Sequence, residues 1–154
     1  MKVVSITGHK NTKKVWLAEK LAENSDVEYV TPYVGVKLPQ KMTPEEFGHY
    51  HVVLPTVLED MERDEEVLYS VRLNGRKYVY FKFQMTADYN VVILDDYGVL
   101  SFRERWDGDL YSIFVIGKTF EPSKRVEEFL TRHEFDEIFN VETDDINELE
   151  ARIE

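Results

Sequence analysis

The chain has 154 residues, 43% of them hydrophobic, with 30 acidic and 19 basic side chains and a net charge of −11. This length suits one domain with an ordinary core, and no apolar run approaches the roughly 18 residues that cross a bilayer. The negative charge argues against general DNA or RNA binding, although a local basic pocket still leaves room for one small phosphate ligand. There is no cysteine for disulfides or thiolate metal sites and no signal-peptide pattern, so we expect a cytoplasmic protein without a membrane partner.

The first half of the chain alternates β-rich runs with helical patterns. A β-branched run enters a glycine loop, and apolar residues at helical spacing follow that loop. The elements predicted from these patterns are a strand at 3–7, a helix at 14–23 capped by Thr12, a strand at 27–31, a loop at 32–42, a short helix capped by Thr43, a strand at 50–53 and a helix from Pro55 to about Arg63.

The second half opens on the clearest local pattern, in which two β-rich runs are joined by Asn74-Gly75, the pair favoured in type I′ hairpin turns. The further predicted elements are the hairpin strands at 66–73 and 76–83, a strand at 90–95, a helix or loop at 98–109, a strand at 111–117, a helix at 122–133, a strand at 135–141 and a last helix capped by Thr143. Alternating strands and helices predict a single α/β domain over 1–154. Its sheet is mainly parallel, with helices on both faces and an inserted antiparallel hairpin.

The loop after the first strand is similar to the phosphate-binding pattern G-x-x-x-x-G-K-[S/T], which lies between a strand and a helix. Its letters here are G-H-K-N-T-K-K-V, so Gly8 and Lys14 keep the first glycine and the lysine. Lys13 replaces the second glycine, where a side chain and a positive φ angle are expected to close the phosphate cradle. Val15 replaces the hydroxyl that holds Mg²⁺. The alternative is an ordinary strand-to-helix turn with solvated lysines.

The order of elements, together with two segments, resembles guanylate kinase. The letters G-H-Y-H-V-V are similar to the family's G-x-D-Y-H-F-V, and Tyr50 matches a tyrosine that contacts the phosphate of GMP. The letters V-L-Y-S-V-R-L-N-G-R-K-Y look like the family's F-L-E-x-x-x-x-x-G-x-x-Y hairpin, in which Tyr78 matches a second phosphate-binding tyrosine. Tyr69 replaces the guanine-reading glutamate. The resemblance implies that residues 32–83 form an acceptor-binding insertion.

Further segments resemble the same family less completely. Lys37 and Lys41 are the nearest counterparts of two phosphate-gripping arginines, but lysine lacks the planar two-point grip of arginine. In I-L-D-D-Y-G, Asp96 matches an aspartate that helps place Mg²⁺ or the base; Asp95 and Asp96 are equally compatible with capping the next turn. The sequence between 117 and 135 has room for one helix and no arginine-rich lid, so the lid is expected to be reduced or absent.

Two histidines two residues apart, His49 and His51, would share one face of a strand. A two-histidine metal site needs further ligands, and no third ligand is evident in the sequence. We therefore expect two histidines that do not bind a metal.

The resemblance leaves different classes of function open. The first is a nucleoside-monophosphate kinase that uses ATP and Mg²⁺ to phosphorylate GMP, dGMP or a related monophosphate. In it Lys14 is the catalytic cation, and the nucleotide-binding residues are Gly8, Lys13, Lys14, Lys37, Lys41, Tyr50, Tyr78 and Asp96. The second is an inactive module without a cofactor that binds a phosphorylated or acidic protein partner. A regulator or inhibitor that uses its acidic surface is a third. The acceptor side is better kept than the donor loop, so ligand binding through Tyr50 and Tyr78 is favoured over catalysis.

Overall fold

The computed structural model describes residues 1–8, 12–37, 49–117 and 135–154. Its elements are β1 (Lys2–Gly8), α1 (Lys14–Leu21), β2 (Val27–Tyr29), β3 (Tyr33–Gly35), β4 (His51–Val53), α2 (Pro55–Asp64), β5 (Val67–Leu73), β6 (Arg76–Phe81), β7 (Tyr89–Ile93), α3 (Asp96–Arg105), β8 (Asp109–Ile116), β9 (Glu137–Asn140) and α4 (Ile146–Ile153). None of the described helices is long and apolar enough to cross a membrane.

The main sheet has five parallel strands in the order β2-β7-β1-β8-β9. The central strand β1 reads K-V-V-S-I-T-G and is buried along its middle, as expected of a β-branched run covered on both faces. Val4 and Ile6 pack with α1 and α4 on one face, while Val3 packs with α3 on the other. The predicted parallel α/β architecture with helices on both faces is confirmed.

The second sheet has four strands in the order β4-β3-β6-β5. β5 and β6 form the predicted antiparallel hairpin, in which Asn74 and Gly75 have φ angles of 53° and 78°. Positive φ at both central residues is the type I′ geometry that matches strand twist. The prediction that 32–42 is only a loop was wrong, because β3 pairs there with both β4 and β6. β3 has only three residues, and its partners are distant in sequence, so no local pattern of residues predicts this strand.

The two faces of the second sheet have different neighbours. On one face, Val79 and Phe81 pack against Leu58 of α2, and the Lys77 ammonium donates to Glu62 of the same helix at 2.6 Å. The opposite face packs toward the main sheet. There the Tyr80 hydroxyl donates to the Ile93 carbonyl at 3.2 Å. Tyr80 and its cross-strand partner Tyr69 both belong to the hydrophobic core around α3. The hairpin is therefore fixed above the carboxyl ends of the main strands.

The ends of several elements differ from the predictions. The N-cap of α1 is Lys13, without a side-chain hydrogen bond, instead of Thr12. The N-cap of α4 is Asp145, which accepts from the Asn147 amide at 2.8 Å, instead of Thr143. Carboxylates and hydroxyls are both good N-caps, so a choice among neighbouring residues depends on the packing of the chain before the helix. The predicted helices at Thr43 and 122–133 lie outside the described residues.

Candidate functional site

A cleft of about 450 Å³ lies between the two sheets. Its floor includes the carboxyl ends of main-sheet strands, at Gly8 of β1, Tyr29 of β2 and Ile93 of β7. Its wall is the inner face of the hairpin, which presents Val71 and Tyr78 among other residues. Ligands of open α/β proteins collect at the carboxyl ends of strands, and this volume is in the range of small-molecule sites. The cleft is the candidate functional site.

Tyrosine dominates the lining of this cleft. Five of the nine tyrosines in the chain line it, namely Tyr29, Tyr50, Tyr69, Tyr78 and Tyr80. The rings of Tyr50 and Tyr78, the two predicted phosphate ligands, meet edge to face with their centroids 5.4 Å apart. The structure therefore brings these two residues together on one wall. Tyrosine offers both a flat apolar ring for stacking and a hydroxyl for hydrogen bonding.

His49 extends the aromatic contacts of this wall. Its ring lies edge to face against Tyr50, with centroids 4.8 Å apart, and its Nε2 lies 3.3 Å from the Tyr29 hydroxyl. Burial raises the pKa of Tyr29. His51 instead stacks on Tyr33 at 4.7 Å. Among the described residues no group of three His, Cys, Asp or Glu side chains could hold a metal ion, and His49 precedes β4.

Tyr69 and Asp95 form an acidic part of the cleft lining. The Tyr69 hydroxyl donates to Asp95 at 2.7 Å to Oδ1 and 2.9 Å to Oδ2, and Oδ1 also accepts from the Gly98 amide at 2.7 Å. Asp95 is thus the N-cap of α3, which is the capping alternative raised from the sequence. Burial, followed by the hydrogen bond to Asp95, raises the pKa of Tyr69. Asp95 lines the cleft, whereas Asp96 is half-buried in the first turn of α3.

Gly8 and Lys14 form a basic part of the cleft lining. The Lys14 ammonium donates to the Gly8 carbonyl at 2.9 Å, and burial lowers the pKa of Lys14. A Cβ at Gly8 would lie 2.8 Å from Thr12 Oγ1 and 2.9 Å from the Val115 carbonyl oxygen. Close approach of neighbouring atoms therefore explains the glycine. Both residues line the cleft.

The backbone at Lys13 does not have the predicted strain. Its φ and ψ angles are −69° and 57°, and the Lys14 amide donates to the Thr12 carbonyl at 2.6 Å. These values define an inverse γ-turn, which any residue adopts, so the expected positive-φ penalty was wrong. The turn instead has this consequence: the Lys14 amide, at the start of α1, donates to the Thr12 carbonyl and is already engaged within the loop.

The loop at Lys14 and Val15, the donor side of the cleft, is a poor fit for Mg²⁺ with a nucleoside triphosphate. A phosphate loop of this type holds Mg²⁺ through a hydroxyl directly after its lysine. Val15 takes that position, lines the cleft and has no oxygen on its side chain. The amide and the ammonium of Lys14 are also both used within the loop.

Two further predicted ligands, Lys37 and Lys13, are not among the residues that line the cleft. Lys37 is exposed and does not line the cleft, and Lys13 is exposed at the start of α1. Lys41 and the segment 118–134, to which the reduced lid was assigned, lie outside the described residues.

Three cleft tyrosines were missed by sequence reasoning, although one pattern could have found two of them. A two-residue hairpin turn fixes the strand register, which here pairs Val71 with Tyr78 and Tyr69 with Tyr80. Alternation then puts these side chains on the same face as Tyr78. Tyr29 has no such pattern, because it reaches the cleft only through the parallel pairing of β2 with β7.

Comparison with solved structures places the fold. The chain is similar to the crystal structure of guanylate kinase from Anaplasma phagocytophilum, with a TM-score of 0.64 and 16% sequence identity, over 98% of this chain and 81% of that one. No protein-family model matches the sequence, and no curated protein matches it. The chain has a guanylate kinase-like fold, which is the architecture that the sequence resemblance implied.

Proposed function

We propose that this protein binds a nucleoside monophosphate in the tyrosine-lined cleft, with the phosphate held by the Tyr50 and Tyr78 hydroxyls. The observation that carries the proposal is the contact in the cleft between the Tyr78 ring on β6 and the Tyr50 ring just before β4. The guanylate kinase-like fold supports it, because the two tyrosines match the acceptor segments that gave the sequence resemblance.

The chemistry of the cleft suits both halves of such a ligand. A base is flat and apolar on its faces, and it stacks favourably on aromatic side chains. A phosphate monoester accepts hydrogen bonds from neutral hydroxyls, and tyrosine remains a neutral donor well above pH 7. The cleft lining also contains the Asp95 carboxylate and the Lys14 ammonium, two opposite charges that would help to orient a ligand.

Binding is better supported than phosphoryl transfer. Transfer depends on a lysine and a metal that neutralise the charge developing on the phosphoryl group. Lys14 is bonded to the Gly8 carbonyl, and Val15 offers no metal ligand. The second candidate is nevertheless a nucleoside-monophosphate kinase that uses ATP and Mg²⁺, because Gly8 and Lys14 line the same cleft as Tyr50 and Tyr78.

A non-catalytic module that takes a phosphorylated side chain of a protein partner is the alternative within the binding class. It is favoured by the outer end of the cleft, where Leu73 and Asn74 of the hairpin turn line the wall and Leu73 is half exposed. An opening of this kind admits a residue carried on a larger molecule. A phosphoserine peptide bound more tightly than any nucleotide would favour this alternative.

Isothermal titration calorimetry with GMP tests the proposal. Tyr78→Phe removes one hydroxyl and keeps the ring contact with Tyr50, so we expect GMP affinity to fall about fivefold to tenfold. Tyr33→Phe is the matched control, because Tyr33 lies on the opposite face of the same sheet, against Phe81 and His51, and should bind GMP as the wild type does. Equal affinities for all three proteins, or no GMP binding at millimolar concentration, would show that the proposal is wrong.

A further inference from the structure

The cleft contains a hydrogen-bonded pair formed by an imidazole and a phenol. His49 Nε2 lies 3.3 Å from the Tyr29 hydroxyl, and both side chains line the cleft. The His49 ring also meets the Tyr50 ring edge to face, with centroids 4.8 Å apart, and Tyr50 in turn contacts Tyr78. A histidine therefore lies directly beside the two tyrosines that are proposed to hold the phosphate.

The phenols around this histidine are electrostatic neighbours. Burial raises the pKa of Tyr29, and the charges of Tyr50 and of Glu19 on α1 raise it further. Burial, followed by the charge of Tyr29, raises the pKa of Tyr80, and Tyr50 adds to this effect. Interactions between charges weaken with distance, so the phenol oxygens of these three tyrosines lie close to one another. His49 is hydrogen-bonded to a member of this group.

A phosphate in this part of the cleft requires a positive charge. A phosphate monoester carries a charge of about −1.5 to −2 at pH 7, and the chain, with a net charge of −11, repels it at long range. Among the described residues that line the cleft, the basic side chains are Lys14 and His49, and the Lys14 ammonium is bonded to the Gly8 carbonyl. Neutral tyrosine hydroxyls orient a phosphate without compensating its charge.

The bond to Tyr29 is compatible with both charge states of the histidine. A neutral imidazole has one donor and one acceptor nitrogen, and an imidazolium has two donors. A hydroxyl both donates and accepts, so Tyr29 donates to Nε2 of the neutral ring or accepts from Nε2 of the charged ring. In both states Nδ1 carries a hydrogen. Within the described part of the chain the hydrogen bond of His49 involves Nε2, so Nδ1–H is the donor for a ligand.

We infer that His49 binds the phosphate in its imidazolium form and thereby selects a monophosphate over the unphosphorylated nucleoside. The inference rests on the proposed function and names the charged partner of the two tyrosine hydroxyls. The titratable groups in contact with His49 are Tyr29 and Tyr50, and Lys14 and Asp95 line the same cleft. Ordinary tyrosine, lysine and aspartate side chains do not change charge between pH 6.5 and pH 8, whereas histidine does. Binding of the phosphate should therefore depend on pH in this range.

Calorimetric titrations of GMP and of guanosine at pH 6.5 and pH 8 test the inference. We expect the wild type to bind GMP about fivefold to tenfold more tightly at pH 6.5, because a hydrogen bond to a charged group is gained. Guanosine carries no phosphate, so its affinity should be the same at both pH values. His49→Gln keeps a side chain that can bond to Tyr29 but carries no charge, and it should bind GMP about equally at both pH values.

The uptake of protons gives a second measurement. Titrations of GMP at pH 7 in buffers of different ionisation enthalpy report the number of protons taken up on binding. The wild type should take up more protons per bound GMP than His49→Gln does. Protonation of the phosphate itself is common to both proteins and does not contribute to this difference.

His51→Phe is the matched control. His51 is an exposed histidine two residues further along the chain, and its ring stacks on Tyr33 with centroids 4.7 Å apart. His51 is not among the described residues that line the cleft. This variant should therefore bind GMP with the same affinities and the same pH dependence as the wild type. Thermal unfolding of each variant verifies that it is folded.

The possible outcomes separate the two claims. If the wild type binds GMP equally well at pH 6.5 and pH 8, or if His49→Gln keeps the pH dependence, only the role of His49 is refuted. The role is also refuted if His49→Gln loses GMP and guanosine affinity together at both pH values, because that pattern indicates a structural effect. If the wild type does not bind GMP at either pH, the proposed function and the inference fail together.

Discussion

The Tyr69–Asp95 pair gives a prediction about how the cleft is held together. Tyr69→Phe removes a hydroxyl that donates to both oxygens of Asp95, while its ring still packs against Gly98 of α3. A hydrogen bond to a charged group contributes about 1.5–3 kcal/mol. Asp95 is exposed, so water replaces part of the lost bond. We therefore expect the free energy of unfolding to fall by about 1.5 kcal/mol.

Urea denaturation at pH 8 measures this loss, and the melting temperature should fall by roughly 3–6 °C. Tyr33→Phe is the control again, because its ring lies on the other face of the second sheet. A Tyr69→Phe variant as stable as the wild type at pH 8 would refute the argument that this bond joins the hairpin to α3.

The same substitution should change the response to alkaline pH. Burial, followed by the Asp95 bond, raises the pKa of Tyr69 in the folded state above the value of about 10 expected in the unfolded chain. The unfolded state then loses its proton first, so this stability is complete below pH 10 and is lost as the pH rises through the folded pKa. The wild type should lose more stability between pH 8 and pH 11 than Tyr69→Phe. Equal losses would contradict the assigned shift, since the other buried tyrosines are common to both proteins.

Two glycine substitutions test different physical causes, and both are read by urea denaturation. Gly8→Ala places a Cβ 2.9 Å from the Val115 carbonyl oxygen, so we expect about 1–3 kcal/mol of destabilisation from crowding between β1 and β8; wild-type stability would contradict the close packing. Gly75→Ala meets no atom within 4 Å, but Gly75 has a φ angle of 78°, so we expect about 1 kcal/mol from backbone strain alone. If Gly75→Ala lowered the free energy of unfolding more than Gly8→Ala does, the expected order of crowding over backbone strain would be wrong.

The hairpin illustrates what local sequence can predict. Asn74-Gly75 fixes both the turn type and the strand register, and this register brings Tyr69 opposite Tyr80. The buried β1 was equally predictable from its β-branched run. Both predictions rest on neighbours in the chain and on the intrinsic preferences of the residues.

Other features depended on contacts that a sequence does not display. β3 exists because two distant strands pair with it, and Tyr29 reaches the cleft through the pairing of β2 with β7. Asp95 and not Asp96 lines the cleft because of where α3 starts. Asp95 is the residue before the helix, and its side chain accepts a hydrogen bond from the Gly98 amide. The relaxed turn at Lys13 likewise follows from its backbone angles and not from its residue type.

The contrast between the Tyr50–Tyr78 contact and the loop at Lys14 and Val15 is the central claim, and parallel titrations of GMP and of ATP with Mg²⁺ into the wild-type protein test it most directly. The Tyr50–Tyr78 wall predicts that GMP binds in the absence of ATP. Val15 and the internal bonds of Lys14 predict that ATP with Mg²⁺ binds at least about tenfold more weakly than GMP, the loss expected when a charge-assisted contact is not made. Tight binding of ATP with Mg²⁺ together with undetectable binding of GMP would contradict the account.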